Sequence, residues 1–249
     1  MKIIFLGTNG WFDSKTGNTI STLIETPQAH IVLDAGNGLA KLDQYAREDK
    51  PVYIFLSHFH LDHVEGLHTL AKFRYRQGIT IIVPKGKRPV LNRFMNWPYT
   101  IPPKALKVRV KIREIGKKGL KIPGAQVITL PLKHINGANG YRFLINGKII
   151  AYAADTGYCQ GAVDLGQQAD WFITECAMKA GGGSDDWPHL NPQTAARLAL
   201  AAQAKKLILT HFDAVAYPTS KERRRGVKLA QNIFKPTLGA FDGMAIKYD

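Results

Sequence analysis

Short apolar runs bounded by Gly, Pro, Asn and Asp recur along the chain, at residues 2–6, 20–26, 30–34, 52–57 and 79–83. Runs of this length, rich in Ile, Val and Phe, predict β-strands between tight turns. Two further stretches, 107–114 and 121–130, alternate or run apolar with β-branched residues and read as strands as well. Residues 141–145 and 148–153 flank Asn146-Gly147, a dipeptide suited to a two-residue hairpin because both positions tolerate positive φ. Runs at 171–174 and 206–210 complete the set. Apolar residues three and four apart predict helices over 38–48 and 64–76. An Ala- and Leu-rich helix is expected at 194–203, with Asn191-Pro192 as cap and first residue, and a basic amphipathic one at 220–234. The order is β-rich, αβ, β-rich, αβ. It favours an α+β fold of two sheets packed face to face with helices outside, as a single domain over residues 1–249. The stretch 180–191, with three consecutive glycines, reads as a lid or a surface loop.

Charge changes this picture at one place. The formal net charge is +15, and between Lys72 and Lys121 fifteen Lys or Arg stand against one acid, Glu114. Such a segment attracts nucleic acid or steers a small anionic substrate, unless it is only a solvated basic face. Cys159 and Cys176 form no CxxC pair and no disulfide framework, which suits two apolar thiols in a reducing compartment. The opening run Ile3-Ile4-Phe5-Leu6 is too short for a signal segment or a membrane span. A cytoplasmic location, with no membrane partner, is the expectation.

Candidate chemistry concentrates where the run 52–56 ends, in Ser57-His58-Phe59-His60-Leu61-Asp62-His63. Alternation on an extended chain puts His58 and His60 on one side, so that both imidazoles can reach one ion. The turn into the next helix lets Asp62 and His63 face a second ion. Imidazole and carboxylate suit Zn²⁺, Mn²⁺ or Fe at hydrolytic sites, and no thiolate is needed. His134, Asp155 and His211 each follow a strand-like run, where a loop can present them at a sheet edge. His30 and His68 have no such context and read as structural.

These residues resemble the metallo-β-lactamase superfamily over nearly the whole chain. Leu6-Gly7-Thr8 and Leu33-Asp34-Ala35-Gly36 are similar to its opening elements, and His58-x-His60-x-Asp62-His63 is similar to its signature. Ala154-Asp155-Thr156 and Leu209-Thr210-His211-Phe212 match its later ones. The resemblance implies an αββα sandwich holding two divalent ions, zinc first, with manganese or iron as alternatives. It implies one ion on His58, His60 and His134, the other on Asp62, His63 and His211, and Asp155 bridging them. Within the superfamily the chain is most similar to ribonuclease Z and related phosphodiesterases, which carry a histidine before an alanine-rich helix. His189 stands there, and the resemblance implies that it contacts the scissile phosphate and protonates the leaving oxygen. Two features depart from ribonuclease Z. Asp213-Ala214-Val215 follow the last histidine, and only a hairpin separates His134 from Asp155 where a tRNA-gripping insertion is usual.

The function expected is a metal-dependent hydrolase, a phosphodiesterase acting on a cyclic phosphate, nucleotide or RNA through a hydroxide bridging two metals. Asp62 orients the nucleophile beside its ligand role, and His189 is the second catalytic residue. A hydrolase of carbon esters, lactones or thioesters on the same site is the competing enzyme reading. A redox di-iron reading is weaker, since redox members of the superfamily generally have Glu where His60 stands. A nucleic-acid-binding protein with a structural metal is the reading of another class. Similar proteins are commonly dimers, so a homodimer is the assembly expected.

Overall fold

The computed structural model describes residues 1–247, and in it the apolar runs become sixteen strands. The first half of the chain supplies β1 (Lys2–Gly7), the two-residue β2 (Asn9–Gly10), β3 (Ser21–Glu25), β4 (His30–Leu33), β5 (Val52–Phe55), β6 (Ile79–Pro84) and β7 (Val110–Ile115). The second half supplies β8 (Leu120–Ile122), β9 (Ala125–Leu132), β10 (Ala138–Ile145), β11 (Lys148–Ala153), β12 (Trp171–Glu175), β13 (Leu207–Thr210), the two-residue β14 (Phe212–Asp213), β15 (Thr237–Gly239) and β16 (Ala245–Lys247). The α-helices are α1 (Leu61–Val64), α2 (Arg88–Phe94), α3 (Gln160–Gly166), α4 (Pro192–Ala201) and α5 (Ser220–Gln231).

Two seven-stranded sheets form, in the orders β16-β1-β3-β4-β5-β6-β7 and β15-β13-β12-β11-β10-β9-β8. Their facing sides share one apolar layer that includes Ile3, Phe5, Phe55, Phe143, Tyr152 and Ile173, all fully buried. Each fully buried side chain of this kind contributes about 1.5–3 kcal/mol relative to exposure. A second layer packs Leu198, Ala199 and Leu165, from α4 and α3, against Phe172 and Leu209. A third packs Leu39, Leu67, Leu70 and Leu91 on the far side of the first sheet. The layering is helix, sheet, sheet, helix, as expected.

The expected strands form, with one correction. The run 121–130 is not one strand: Pro123-Gly124 folds it into a hairpin in which Ile122 pairs with Ala125. Proline has no N–H to give a ladder, and Gly124 takes φ +77°. The helices need more correction. Residues 38–48 form a 3₁₀ helix over Asn37–Gln44, and 64–76 reduce to α1 followed by a 3₁₀ helix over Glu65–Lys72. The cause is tertiary. Gly66 N–H donates to Ala35 O at 2.8 Å, and a Cβ on Gly66 would lie 2.0 Å from Gly36 O. The ladder of a regular helix yields to this backbone contact between two loops. Two short helices, α2 and α3, carry too little periodicity to be foreseen. By contrast, α4 starts where its cap demands: Asn191 Oδ1 accepts from Thr194 N at 3.0 Å and Thr194 Oγ1 accepts from Asn191 N at 2.9 Å, with Pro192 first in the helix.

All fifteen cations between Lys72 and Lys121 are exposed, nine of them on β7 and the arm leading to it over residues 85–109. Cys176 is buried, which pushes its thiol up to about 12, while Cys159 is only half-buried. Neither forms a disulfide. Among the described residues no helix is long and apolar enough to cross a membrane.

Candidate metal centre

The strands β4, β5, β9, β11, β12 and β13 all end at one edge of the sandwich, and each delivers a polar side chain there. The parallel pairings β4·β5 and β11·β12·β13 make their C-terminal ends neighbours, the usual location of a site in such sheets. Asp34, Asp155 and His211 leave these ends with positive φ of 57°, 52° and 49°. Left-handed backbone is costly for residues with a Cβ and persists where the surroundings enforce it, often at functional sites.

Seven side chains converge at this edge in two groups. Polar atoms of His58, His60, His134 and Asp155 lie within 4.8 Å of one another, and so do those of Asp62, His63 and His211. This is the division that the resemblance implies, with Asp155 between the groups: its Oδ2 is 3.4 Å from His58 Nε2 and its Oδ1 is 2.9 Å from His211 Nε2.

Do these groups fit a metal? Two donor atoms each about 2.0–2.1 Å from one tetrahedral ion must lie about 3.3–3.4 Å apart. His134 Nε2 and His60 Nδ1 are 3.3 Å apart; in the other group His63 Nε2 is 3.1 Å from His211 Nε2, which is 3.2 Å from Asp62 Oδ2. His58 Nε2 and the other ring nitrogens of His134 and His211 are buried without a hydrogen bond. Buried polar atoms are rarely left so, and a cation would satisfy His58 Nε2. Gly10 leaves room for this geometry, since a Cβ there would fall 2.5 Å from His211 Cε1.

The electrostatics agree. Burial lowers His134, helped by the imidazoles of His58, His189 and His60 and opposed by Asp155, down to about 3. Burial also opposes the charged form of His211, but the Asp155 and Asp62 carboxylates win and hold it at about 10. Asp62 resists burial in the same way and is held well below the usual carboxylate range by His63 and His211. A cation that takes neutral imidazoles and ionised carboxylates together would suit this crowding of buried ionisable groups.

A second set of contacts orients these donors. Asp34 accepts from Ser57 N at 2.7 Å, Ser57 Oγ at 2.8 Å, His63 Nδ1 at 2.8 Å and Tyr152 OH at 2.6 Å. A carboxylate on the far nitrogen of a ligating histidine fixes its tautomer and ring plane. An Asp34→Asn variant keeps the size but loses one acceptor oxygen. It is expected to weaken metal binding by about 10–100-fold, read by competition with a chromogenic chelator. Unchanged affinity would remove this role.

His189 sits at the rim. Its Nδ1 is 2.8 Å from Glu175 Oε1, and its ring stacks on His211 with centroids 6.3 Å apart. Burial lowers its pKa, yet Glu175 and then Asp155 raise it to a net upward shift. Glu175, fully buried, also accepts from Thr156 N at 2.6 Å. Its part was not foreseen, although an acid ending the apolar strand β12 stands in the same context as Asp155 and His211. Trp11 was also missed: its backbone N–H donates to Asp62 Oδ2 at 2.7 Å, a contact invisible in side-chain identity. His30 and His68 lie outside both groups; their ring nitrogens meet the carbonyls of Arg47 and Glu65.

A cavity of about 580 Å³ opens on this edge, lined by Asp62, Asp155, His189, His211, Trp11 and Trp187 among others. Trp187 belongs to the glycine-rich loop at 180–191, so that loop is a wall of the cavity. A family profile, the Beta-lactamase superfamily domain, matches residues 29–212. The chain belongs to the beta-lactamase superfamily. Among relatives of this superfamily protein, the ribonuclease Z of Bacillus licheniformis is 27% identical over 306 aligned residues, covering 97% of each chain. The alignment exceeds the 249 residues of this superfamily member, so the relative carries extra residues that the present chain lacks. Among solved structures, the metallo-beta-lactamase fold protein YhfI of Bacillus subtilis superposes with a TM-score of 0.79 at 20% identity, covering 99% of both chains. The short form of human tRNase Z gives 0.77 at 21% identity over the full length of both. At those identities the structures establish the fold.

Proposed function

We propose that this chain is a metal-dependent phosphodiesterase using two divalent ions, zinc with manganese or iron as alternatives. His58, His60 and His134 would hold one ion, Asp62, His63 and His211 the other, and Asp155 both. Such ions lower the pKa of a water and neutralise charge on a phosphoryl group. Asp62, already an acceptor for Trp11 N–H, is placed to orient the attacking water. The observation that carries the phosphodiester reading is His189. With Nδ1 held by Glu175, its Nε2 remains to face a ligand in the cavity and to hand a proton to a departing oxygen. The ribonuclease Z relatives support this substrate class.

One observation favours a second reading. The cavity lining holds no Lys or Arg and includes Trp11, Leu61, Met178 and Trp187. An uncharged carbon ester or lactone would suit that wall. A nucleic-acid-binding protein with a merely structural ion is disfavoured by seven converging donors, more than such an ion requires. The free cysteines support a reducing, cytoplasmic compartment. A homodimer rests on the resemblance alone.

The deciding experiment strips the protein with a chelator and restores Zn²⁺ or Mn²⁺. Bis(p-nitrophenyl) phosphate and p-nitrophenyl acetate are then offered side by side. The metal-free protein should be inert toward the diester, with turnover restored on reloading. Reloading at 100 times Kd should add about 2.7 kcal/mol, about 5–11 °C in Tm for a chain of this size. Ester turnover without diester turnover at full occupancy would replace the first reading by the second.

A further inference from the structure

Between β6 and β7 the chain makes an excursion over residues 85–109 that the site described above does not use. It holds seven cations and no acid: Lys85, Lys87, Arg88, Arg93, Lys104, Lys107 and Arg109. All seven are exposed, and among the described residues none has a salt-bridge partner. The acid that follows, Glu114, spends its carboxylate on the backbone, accepting from Gly86 N at 3.0 Å and Arg88 N at 3.1 Å. Aromatic and apolar side chains are interleaved with the cations and turned outward. Trp97 is 66% exposed and Tyr99 68%, and Val90 is exposed as well. The excursion is nonetheless anchored, because Leu91, Met95 and Val108 are buried in the layer over the first sheet.

This arm connects with the candidate metal centre. A groove of about 220 Å³, separate from the larger cavity, is lined by His58, His60, Asn136 and Asn139 on one side and by Lys87 and Val90 of the arm on the other. His60 lines both spaces, so the centre is open in two directions. A small cyclic phosphate needs only one of them. A polymer running through the centre needs both.

We infer that the arm 85–109 binds the flank of a single-stranded RNA whose scissile phosphate lies at the metal centre, with bases stacking on Trp97 and Tyr99 and phosphates on the surrounding cations. This rests on the phosphodiesterase reading. Exposed cations pair with phosphates at any sequence, and exposed rings hold bases that no duplex hides. The pairing of positive charge with exposed rings separates this surface from a merely solvated basic face.

The test is fluorescence anisotropy of the metal-loaded protein with a labelled fifteen-nucleotide single-stranded RNA, against the same sequence as a duplex and against inorganic polyphosphate. Engagement of five to seven phosphates predicts a log–log salt slope of about −3.5 to −5 for a single strand. Trp97→Ala and Tyr99→Ala should each, singly, weaken RNA binding by about 5- to 100-fold, and Trp97→Phe should keep most of that contact. Lys87→Ala with Arg93→Ala should reduce the slope by about 1.4. These side chains are exposed, and thermal melting confirms that each variant is folded. Equal RNA affinity in the aromatic variants, or polyphosphate binding as tightly as RNA, would overturn the inference. Binding is read without turnover. Failure of the phosphodiesterase reading would appear separately, as no hydrolysis of bis(p-nitrophenyl) phosphate by the wild type.

Discussion

An Asp62→Ala variant is expected to turn over a phosphodiester about 10³–10⁵-fold more slowly than the wild type. Two losses multiply. Removing a contact that holds the metal donors costs about 10–100-fold in affinity or activity. Removing preorganised stabilisation at the reacting centre costs about 10²–10³-fold more. Both apply because Asp62 Oδ2 stands 3.2 Å from His211 Nε2 and 3.6 Å from His63 Nε2 while it holds Trp11 N–H at 2.7 Å. The measurement is kcat/KM on bis(p-nitrophenyl) phosphate with metal content determined on the same sample. Turnover within tenfold of wild type at full occupancy would remove Asp62 from the machinery.

His189→Ala should behave differently. On a diester with an alkoxide leaving group kcat should fall by about 10²–10⁴-fold, the usual worth of a positioned general acid. On a nitrophenyl diester the fall should be much smaller, because nitrophenolate departs without a proton and only the contact to the phosphate is lost. Metal content should stay near wild type, since His189 is held by Glu175 and belongs to neither of the two groups assigned to an ion, although it also converges with Asp155 and Glu175. Comparing the two substrates separates proton donation from general damage. An equal loss on both would leave His189 as a binding residue only.

Much of the centre was legible because its chemistry is local. His58, His60, Asp62 and His63 follow one strand within six residues, and alternation alone places the first two together. His134, Asp155 and His211, which the structure brings to the same edge, were singled out by their shared position after apolar runs. The orienting contacts were not legible. Asp34 meets Tyr152 across 118 residues, and nothing near either residue announces the pairing. The helical content was overestimated for a related reason: Gly66 donates its N–H to Ala35 O on another loop, and periodicity carries no record of such a partner. The Pro123-Gly124 break in the run 121–130 was readable in principle, since proline excludes a central ladder position. The exposed rings of residues 85–109 were hidden by the charge around them, because apolar residues in a short segment look the same whether buried or turned outward.

The centre draws on both sheets: His58, His60, Asp62 and His63 follow β5 of the first, and His134, Asp155 and His211 follow β9, β11 and β13 of the second. An ion held between them would therefore be a rivet across the seam of the sandwich. Starved of metal, the molecule would lose that fastening at an edge where buried His and Asp side chains are packed together. Proteases that sample such openings would clear the empty form faster than the loaded one. The abundance of the protein in a cell would then follow the supply of the metal, with no regulator other than the fold.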